Sequence, residues 1–202
     1  MNDGLIFIFS VGVALATWVA ARTAAQAAGL DAGTTPRLPI IIASAIATLA
    51  AHDRHDSAGP LLAAAIVGVT ACAIGDQRTG YLFDRAIIVL SAVLIALAAI
   101  GGNLGSALIA GTIVASPLGI LYAITGARGL GLGDVKLAFP IGLGLGALAG
   151  LGALGAAFIA GGAVGIVLLA RGCARTNAIP FGPFLAFGTA LSAFVPIAAV
   201  LH

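Results

Sequence analysis

Charged residues are scarce in this sequence. Aspartate, lysine and arginine together make up only 8% of its 202 residues, and glutamate is missing altogether. A soluble domain needs roughly a quarter of its residues charged to form a water-facing surface. Apolar residues instead account for 61% of the chain, and the mean hydropathy is +1.18. The composition therefore excludes an ordinary soluble protein and predicts an integral membrane protein.

Cysteine is also rare, and its spacing excludes several kinds of site. Cys72 and Cys173 lie far apart and neither belongs to a CxxC pair, which excludes a zinc knuckle or a disulfide framework. No basic patch with interleaved aromatic residues is present in the sequence, so we expect no nucleic acid partner. His52 and His55 are three residues apart, but a short external loop needs polar residues in any case. We predict no metal site and no cofactor.

Long uncharged segments divide the chain into about eight membrane-spanning helices. A span needs about 20 apolar residues, so the uncharged run 86–127 holds two spans, separated by a glycine-rich turn at 101–105. The run 137–170 is also too long for a single span. The predicted spans are 4–21, 38–51, 57–75, 86–100, 106–125, 137–150, 152–170 and 181–201. The chain is thus predicted to be one polytopic, all-α membrane domain over residues 1–202.

The distribution of basic residues predicts the orientation of these helices. With eight spans, all lysine and arginine residues except Arg54 fall in loops on one side. Cytoplasmic loops of membrane proteins carry an excess of these residues. We therefore expect that side to be cytoplasmic and both termini to lie outside.

Glycine is abundant, with 29 residues, and several of these residues recur at a spacing of four. Gly142, Gly146 and Gly150 follow one another every four residues, as do Gly161 and Gly165. Small residues at that spacing let helix backbones approach closely in lipid. We therefore expect close helix packing at these positions.

Three of the seven aspartates fall at the predicted cytoplasmic ends of spans. Asp76 follows the third span, Asp84 opens the fourth, and Asp134 lies in a glycine-rich segment before the sixth. Acidic residues at such positions are costly and often functional, although on spacing alone a flexible loop explains the segment around Asp134 at least as well. Two carboxyl groups that share one water can hydrolyse an amide, because the ionised one takes a proton from the water while the protonated one donates to the carbonyl oxygen.

Three stretches of the sequence resemble the prepilin peptidases of bacterial type IV pilus and type II secretion systems. Residues 75–84, GDQRTGYLFD, are similar to the first aspartate motif of that family, in which an Arg-Thr-Gly turn follows the aspartate and a second acid opens the next helix. Residues 125–137, TGARGLGLGDVKL, are similar to its GxGD motif with the following lysine and leucine. Residues 179–184, IPFGPF, match the segment that leads into the last helix.

The resemblance implies an intramembrane aspartyl endopeptidase with Asp76 and Asp134 as its catalytic pair. The implied substrate is a prepilin or pseudopilin precursor, cut at the cytoplasmic face of the bacterial inner membrane between a short basic leader and a hydrophobic helix. Asp84 is expected to cap the fourth helix, and Lys136 either to hold the charge state of the pair or to extend towards the membrane surface. The residues expected to support the site or bind substrate are Thr79, Gly80, Asp84, Gly131, Gly133, Lys136, Phe181, Gly182 and Pro183.

One departure from the family limits the expected activity. Many members insert a cytoplasmic domain with paired cysteines between the first two helices, and this domain is associated with methylation of the new N-terminus. Only residues 24–37 occupy that place here. N-methyltransferase activity is therefore doubtful, and the chain resembles a minimal peptidase.

Two other functions are alternatives to the peptidase. A transporter or channel also uses intramembrane aspartates, but it predicts acids near the bilayer midplane and matching helix breaks in two halves of the chain. Here the acids fall at the ends of spans and the sequence contains no evident repeat. A non-catalytic scaffold for pilus assembly is the second alternative, and the retention of both aspartates argues against it.

Overall fold

All regular structure in the described part of the chain is helical, as the apolar runs predict. A computed structural model describes residues 3–27, 29, 37–51, 58–79, 82–126, 130–172 and 180–194. The eight helices within these residues are α1 (Asp3–Ala27), α2 (Arg37–Ala51), α3 (Ala58–Thr79), α4 (Asp84–Ile100), α5 (Leu104–Thr125), α6 (Leu132–Leu145), α7 (Ala147–Ala170) and α8 (Gly182–Phe194). The all-α fold class is therefore confirmed.

Three of these helices are long and apolar enough to cross a membrane: α5, α7 and the segment Gly59–Thr79 of α3. Their burial within the protein differs widely, at 83% for the α3 segment against 28% for α5 and 17% for α7. A helix that is apolar on every side but poorly buried needs lipid around it. Helices α2, α4, α6 and α8 are shorter than these three, and the apolar segment found within α1 is only Val11–Thr23. The prediction of eight complete spans stays a prediction.

Helix α3 forms the centre of the fold. It contacts α1, α2, α4, α6 and α8, and every residue from 61 to 69 is buried. Its contact with α6 is especially close, because a Cβ added to Gly144 would overlap the side chain of Ala65. Small residues at a helix contact allow this approach and increase van der Waals packing in lipid. The Ala65–Gly144 contact therefore sets how α6 lies against α3.

Helices α5 and α6 form the most extensive helix pair. A Cβ on Gly142 would lie 2.5 Å from the carbonyl oxygen of Ala110 and 2.7 Å from Cα of Gly111. Helix α7 also packs closely against α5, because a Cβ added to Gly150 of α7 would lie 2.5 Å from a methyl carbon of Val114 on α5. Close packing is thus confirmed at Gly142 and Gly150, whereas Gly146 has a different role.

Gly146 separates α6 from α7. Its φ of +82° belongs to the region that glycine adopts without steric cost, and the helical backbone is interrupted there. The predicted boundary between the sixth and seventh spans, near residue 151, is therefore about five residues too late. The turn predicted at 101–105 is confirmed for residues 101–103, with Gly102 at a φ of +74°, whereas Leu104 and Gly105 already belong to α5.

The candidate acids lie inside helices rather than beside them. Helix α3 continues to Thr79 and so contains Asp76, and α6 begins at Leu132, so that Asp134 lies in its first turn. A charged residue marks where an apolar span must end, but helical hydrogen bonding continues beyond that point. Helices α3 and α6 therefore extend beyond the predicted spans 57–75 and 137–150 at these two ends.

Candidate active site

Asp76 and Asp134 lie at the same end of the antiparallel pair α3 and α6. Asp76 follows Ala65 by 11 residues, and Asp134 precedes Gly144 by 10 residues. Both carboxyl groups are therefore about 15 Å along the helices from the Ala65–Gly144 contact. They are close enough for the charge of Asp76 to act on the pKa of Asp134. The structure thus brings together the two acids that the motifs singled out.

Asp76 is only 5% exposed and binds the start of α8. Its Oδ2 accepts a hydrogen bond of 3.0 Å from the backbone N–H of Gly182, the first residue of that helix. The first amides of a helix have no acceptor within the helix and need one from elsewhere. Asp76 therefore provides, from a different helix, the oxygen that a capping side chain would usually provide.

Gly182 allows this contact because it has no side chain. A Cβ at that position would lie 2.8 Å from Oδ2 of Asp76 and 3.3 Å from Cα of Ala73. The next residue, Pro183, has no N–H and is well suited to the first turn of a helix. Phe181 instead contacts aromatic rings, at 5.1 Å from Phe158 between ring centroids. Of the three predicted residues in this segment, Gly182 is thus the one that hydrogen-bonds to Asp76.

Asp134 is 8% exposed, and its Oδ1 has no hydrogen-bond partner among the described residues. It lies at the end of the bundle, ahead of the predicted span 137–150. Burial and, secondarily, the negative charge of Asp76 raise the pKa of Asp134 to about 6, while a backbone hydrogen bond from Gly131 lowers it. Two nearby carboxyl groups in a poorly hydrated site favour a state in which they share one proton.

The two glycines before Asp134 fix the first turn of α6. Gly131 is the N-cap residue, and its carbonyl oxygen accepts a hydrogen bond of 3.1 Å from the amide of Asp134. A Cβ on Gly131 would lie 3.1 Å from Oδ2 of Asp134, and one on Gly133 would lie 2.7 Å from Cβ of Leu82. Both glycines therefore keep space that a larger side chain would take from Asp134 or from the segment before α4.

Lys136 pairs with Asp84, and both sequence-based expectations for these residues need revision. The ammonium nitrogen of Lys136 lies 2.7 Å and 2.8 Å from the two carboxylate oxygens of Asp84. The N-cap residue of α4 is Phe83, so the prediction that Asp84 caps this helix is wrong. Asp84 is the first helical residue, and its carboxylate binds the cation of α6 instead. Lys136 lies about 200° around α6 from Asp134, which directs it towards α4 rather than towards the pair of acids.

One contact near the site was not predicted from the sequence. The guanidinium of Arg78 lies 5.3 Å from the centre of the Trp18 ring, within the range of a cation–π interaction. Trp18 is fully buried and lies on α1. Two features of the sequence point to these residues: Trp18 is the single tryptophan of the chain, and Arg78 belongs to the first aspartate motif. The contact attaches the end of α3 that contains Asp76 to α1.

The remaining candidate residues divide into described and undescribed positions. The hydroxyl of Thr79 donates a hydrogen bond of 2.8 Å to the carbonyl oxygen of Gly75 and so closes the last turn of α3. Gly80, His52 and His55 lie outside the described residues, as does most of the segment between α1 and α2.

Comparison with known proteins gives a family for this arrangement. The model of the type IV leader peptidase family matches residues 63–166, just over half of the chain, and the matched region contains Asp76 and Asp134. No curated protein and no solved structure gives a significant match. The family implies an aspartic-type peptidase that acts on prepilin-like substrates. On this match, which agrees with the motif resemblance, the chain belongs to the type IV leader peptidase family.

Proposed function

We propose that this protein is an intramembrane aspartyl endopeptidase that removes the short basic leader from type IV prepilin-like or pseudopilin precursors. The observation that carries the proposal is the pair of buried carboxyl groups, Asp76 and Asp134, at one end of the bundle. Membership of the type IV leader peptidase family supports the same chemistry.

The mechanism follows from the different surroundings of the two acids. Asp134, whose buried Oδ1 has no hydrogen-bond partner among the described residues, is the protonated partner and donates to the carbonyl oxygen of the scissile peptide. Asp76, which already accepts the N–H of Gly182, is the ionised partner and takes a proton from the attacking water. The tetrahedral intermediate then collapses when Asp76 returns that proton to the leaving amine nitrogen, the C–N bond breaks, and one hydroxyl group of the intermediate gives its proton back to Asp134 as the new carboxyl group forms. Both carboxyl groups stay within one buried site through these steps.

The location of the acids favours a peptidase over a transporter. Asp76 lies three residues before the end of α3, and Asp134 is the third residue of α6. Acids that mark an ion path are expected near the bilayer midplane instead. We place the site at the cytoplasmic face of the bacterial inner membrane, because the loops at this end carry most of the basic residues of the sequence.

Co-expression with a candidate prepilin tests the proposal, with leader loss followed by mass spectrometry. We expect Asp76→Asn and Asp134→Asn each to abolish processing, because an amide can neither take the proton of the water nor share one with the other acid. Asp84→Asn serves as the matched control, since it changes an exposed aspartate that pairs with Lys136, and it is expected only to weaken processing. All three variants should stay in the membrane fraction. Normal cleavage by Asp134→Asn would show that the mechanism is wrong.

A further inference from the structure

A groove of about 480 Å³ lies between α4 and α6, beside the candidate active site. The Asp84–Lys136 ion pair lies at one end and Ile95 at the other, with Ser91 and Ala92 between them on α4 and Phe139 on α6. The α4 positions 84, 88, 91, 92 and 95 recur at helical spacing, so they form one continuous face of that helix. Apart from the ion pair and the hydroxyl of Ser91, this lining is apolar.

The groove begins at the turn that carries Asp134. Lys136 follows Asp134 by two residues, and Asp84 follows Leu82, which packs against Gly133, by two residues. A second cavity, of about 460 Å³, is lined by residues such as Asn103, Leu143 and Gly146, at the opposite end of α6. Its described lining contains no carboxylate side chain. Of these two cavities, the groove between α4 and α6 is the one at the same end of α6 as Asp134.

The shape and charge of the groove fit an apolar helix that has a basic segment at its end. From Asp84 to Ile95 the face of α4 extends about 16 Å, roughly half of the hydrocarbon thickness. Ser91 and Ala92 are small enough to let another helix approach closely. At the polar end, the side chain of Asp84 is 59% exposed and that of Lys136 is 41% exposed. The more accessible charge is therefore negative, which favours a basic peptide segment over the phosphate of a lipid.

We propose that this groove docks the hydrophobic helix of the precursor, so that the segment at its end reaches Asp134. The inference rests on the proposed function. Because Lys136 and Asp134 lie on different sides of α6, the bound segment crosses the N-terminal turn of that helix at Gly131 and Gly133. Gly131 is exposed and has extended backbone angles, with φ −73° and ψ 142°. The path from the groove to the acids is thus not covered by a side chain at this residue.

Filling the groove tests the proposal with the full-length protein in vesicles. Ala92→Trp places a large side chain in the groove, and Ala163→Trp places the same side chain on the exposed surface of α7. We expect Ala92→Trp to raise KM for the precursor about tenfold, with a small change in kcat, because docking is lost while the acids are unchanged. Ala163→Trp should leave both values within about twofold of the unmodified protein. Equal KM values for the two variants would overturn the proposal.

A photo-crosslinking residue at position 92, with position 163 as the control, gives a readout that does not depend on the stability of the tryptophan variant. We expect a crosslink to the precursor from position 92 and none from position 163. Crosslinks to lipid alone from position 92 would contradict the proposal and assign the groove to lipid. If the unmodified protein does not cleave the precursor, the proposed function fails. If it cleaves the precursor, but Ala92→Trp leaves KM unchanged and position 92 gives no crosslink to the precursor, only the proposed docking site is wrong.

Discussion

The two acids of the candidate site differ in what surrounds each carboxyl group. Asp76 accepts an N–H from the start of α8 at 3.0 Å, whereas Oδ1 of Asp134 has no hydrogen-bond partner among the described residues. An unpaired oxygen in a buried carboxyl group is costly unless the group holds a proton or binds a further molecule. This difference is the physical reason for giving the proton to Asp134 in the proposed mechanism.

The raised pKa of Asp134 predicts how activity depends on pH. Because that pKa is about 6, the carboxyl group keeps its proton below this pH and loses it above. We therefore expect kcat/KM for a precursor to fall by about tenfold per pH unit above the apparent pKa of the pair. A pH series between 5 and 8 measures this decline, and Asp84→Asn should keep the same profile. A rate that is constant over this range would contradict a mechanism in which the pair shares one proton.

Replacement of Gly182 should move Asp76 without removing its charge. The Cβ of Gly182→Ala would lie 2.8 Å from Oδ2 of Asp76, so either the carboxyl group or the start of α8 must shift. A misplacement of about 1 Å can reduce catalysis by roughly a hundredfold. Initial rates of precursor cleavage at equal protein amounts check this prediction.

The matched control for this change is Gly155→Ala on α7, where an added Cβ has no neighbour within 4 Å. It should cleave at the normal rate. If Gly182→Ala were as active as Gly155→Ala, the contact between α8 and Asp76 would have no part in catalysis.

At the scale of helices, uncharged runs predicted how many helices the described residues form but not where they begin and end. The glycine-rich turn at 101–105 was found because several turn-forming residues occur together there. Gly146 was missed, because nothing in its neighbourhood distinguishes it from Gly142 or Gly150. Of these three glycines, Gly146 alone has a positive φ.

The close packing of α5 and α6 predicts which glycines tolerate a methyl group. In Gly142→Ala the new Cβ would lie 2.5 Å from the backbone oxygen of Ala110, so the two helices must separate. We expect a loss of about 1–3 kcal/mol in the free energy of unfolding, the usual cost of overpacking. Gly162→Ala, where no atom lies within 4 Å of the added Cβ, should be neutral or stabilising. Thermal unfolding in detergent compares the two variants, and equal midpoints would refute this account of the helix contact.

For the whole molecule, the sequence singled out two acids that lie at the same end of the bundle, but it did not predict the contacts around them. Asp76 and Asp134 could be singled out because carboxylates are few and both fall in family motifs. The pairing of Lys136 with Asp84 could not, because it joins residues 52 positions apart on different helices. The same holds for Gly182 and Asp76, which are 106 positions apart. Such contacts depend on the relative rotation and height of packed helices, which apolar periodicity does not determine.

The orientation of the whole molecule in the membrane is the prediction that connects the site to its substrate. If the basic loops are cytoplasmic, the turn at Asn103 faces outside and Arg171 faces the cytoplasm. Cysteine placed at Asn103 should react with an impermeant thiol reagent on intact spheroplasts, and cysteine at Arg171 only after permeabilisation. The background is Cys72→Ala with Cys173→Ser, and alanine suits position 72 because Cys72 is buried. The reverse labelling pattern would put Asp76 and Asp134 on the outer face, where a precursor with a cytoplasmic leader could not be cut.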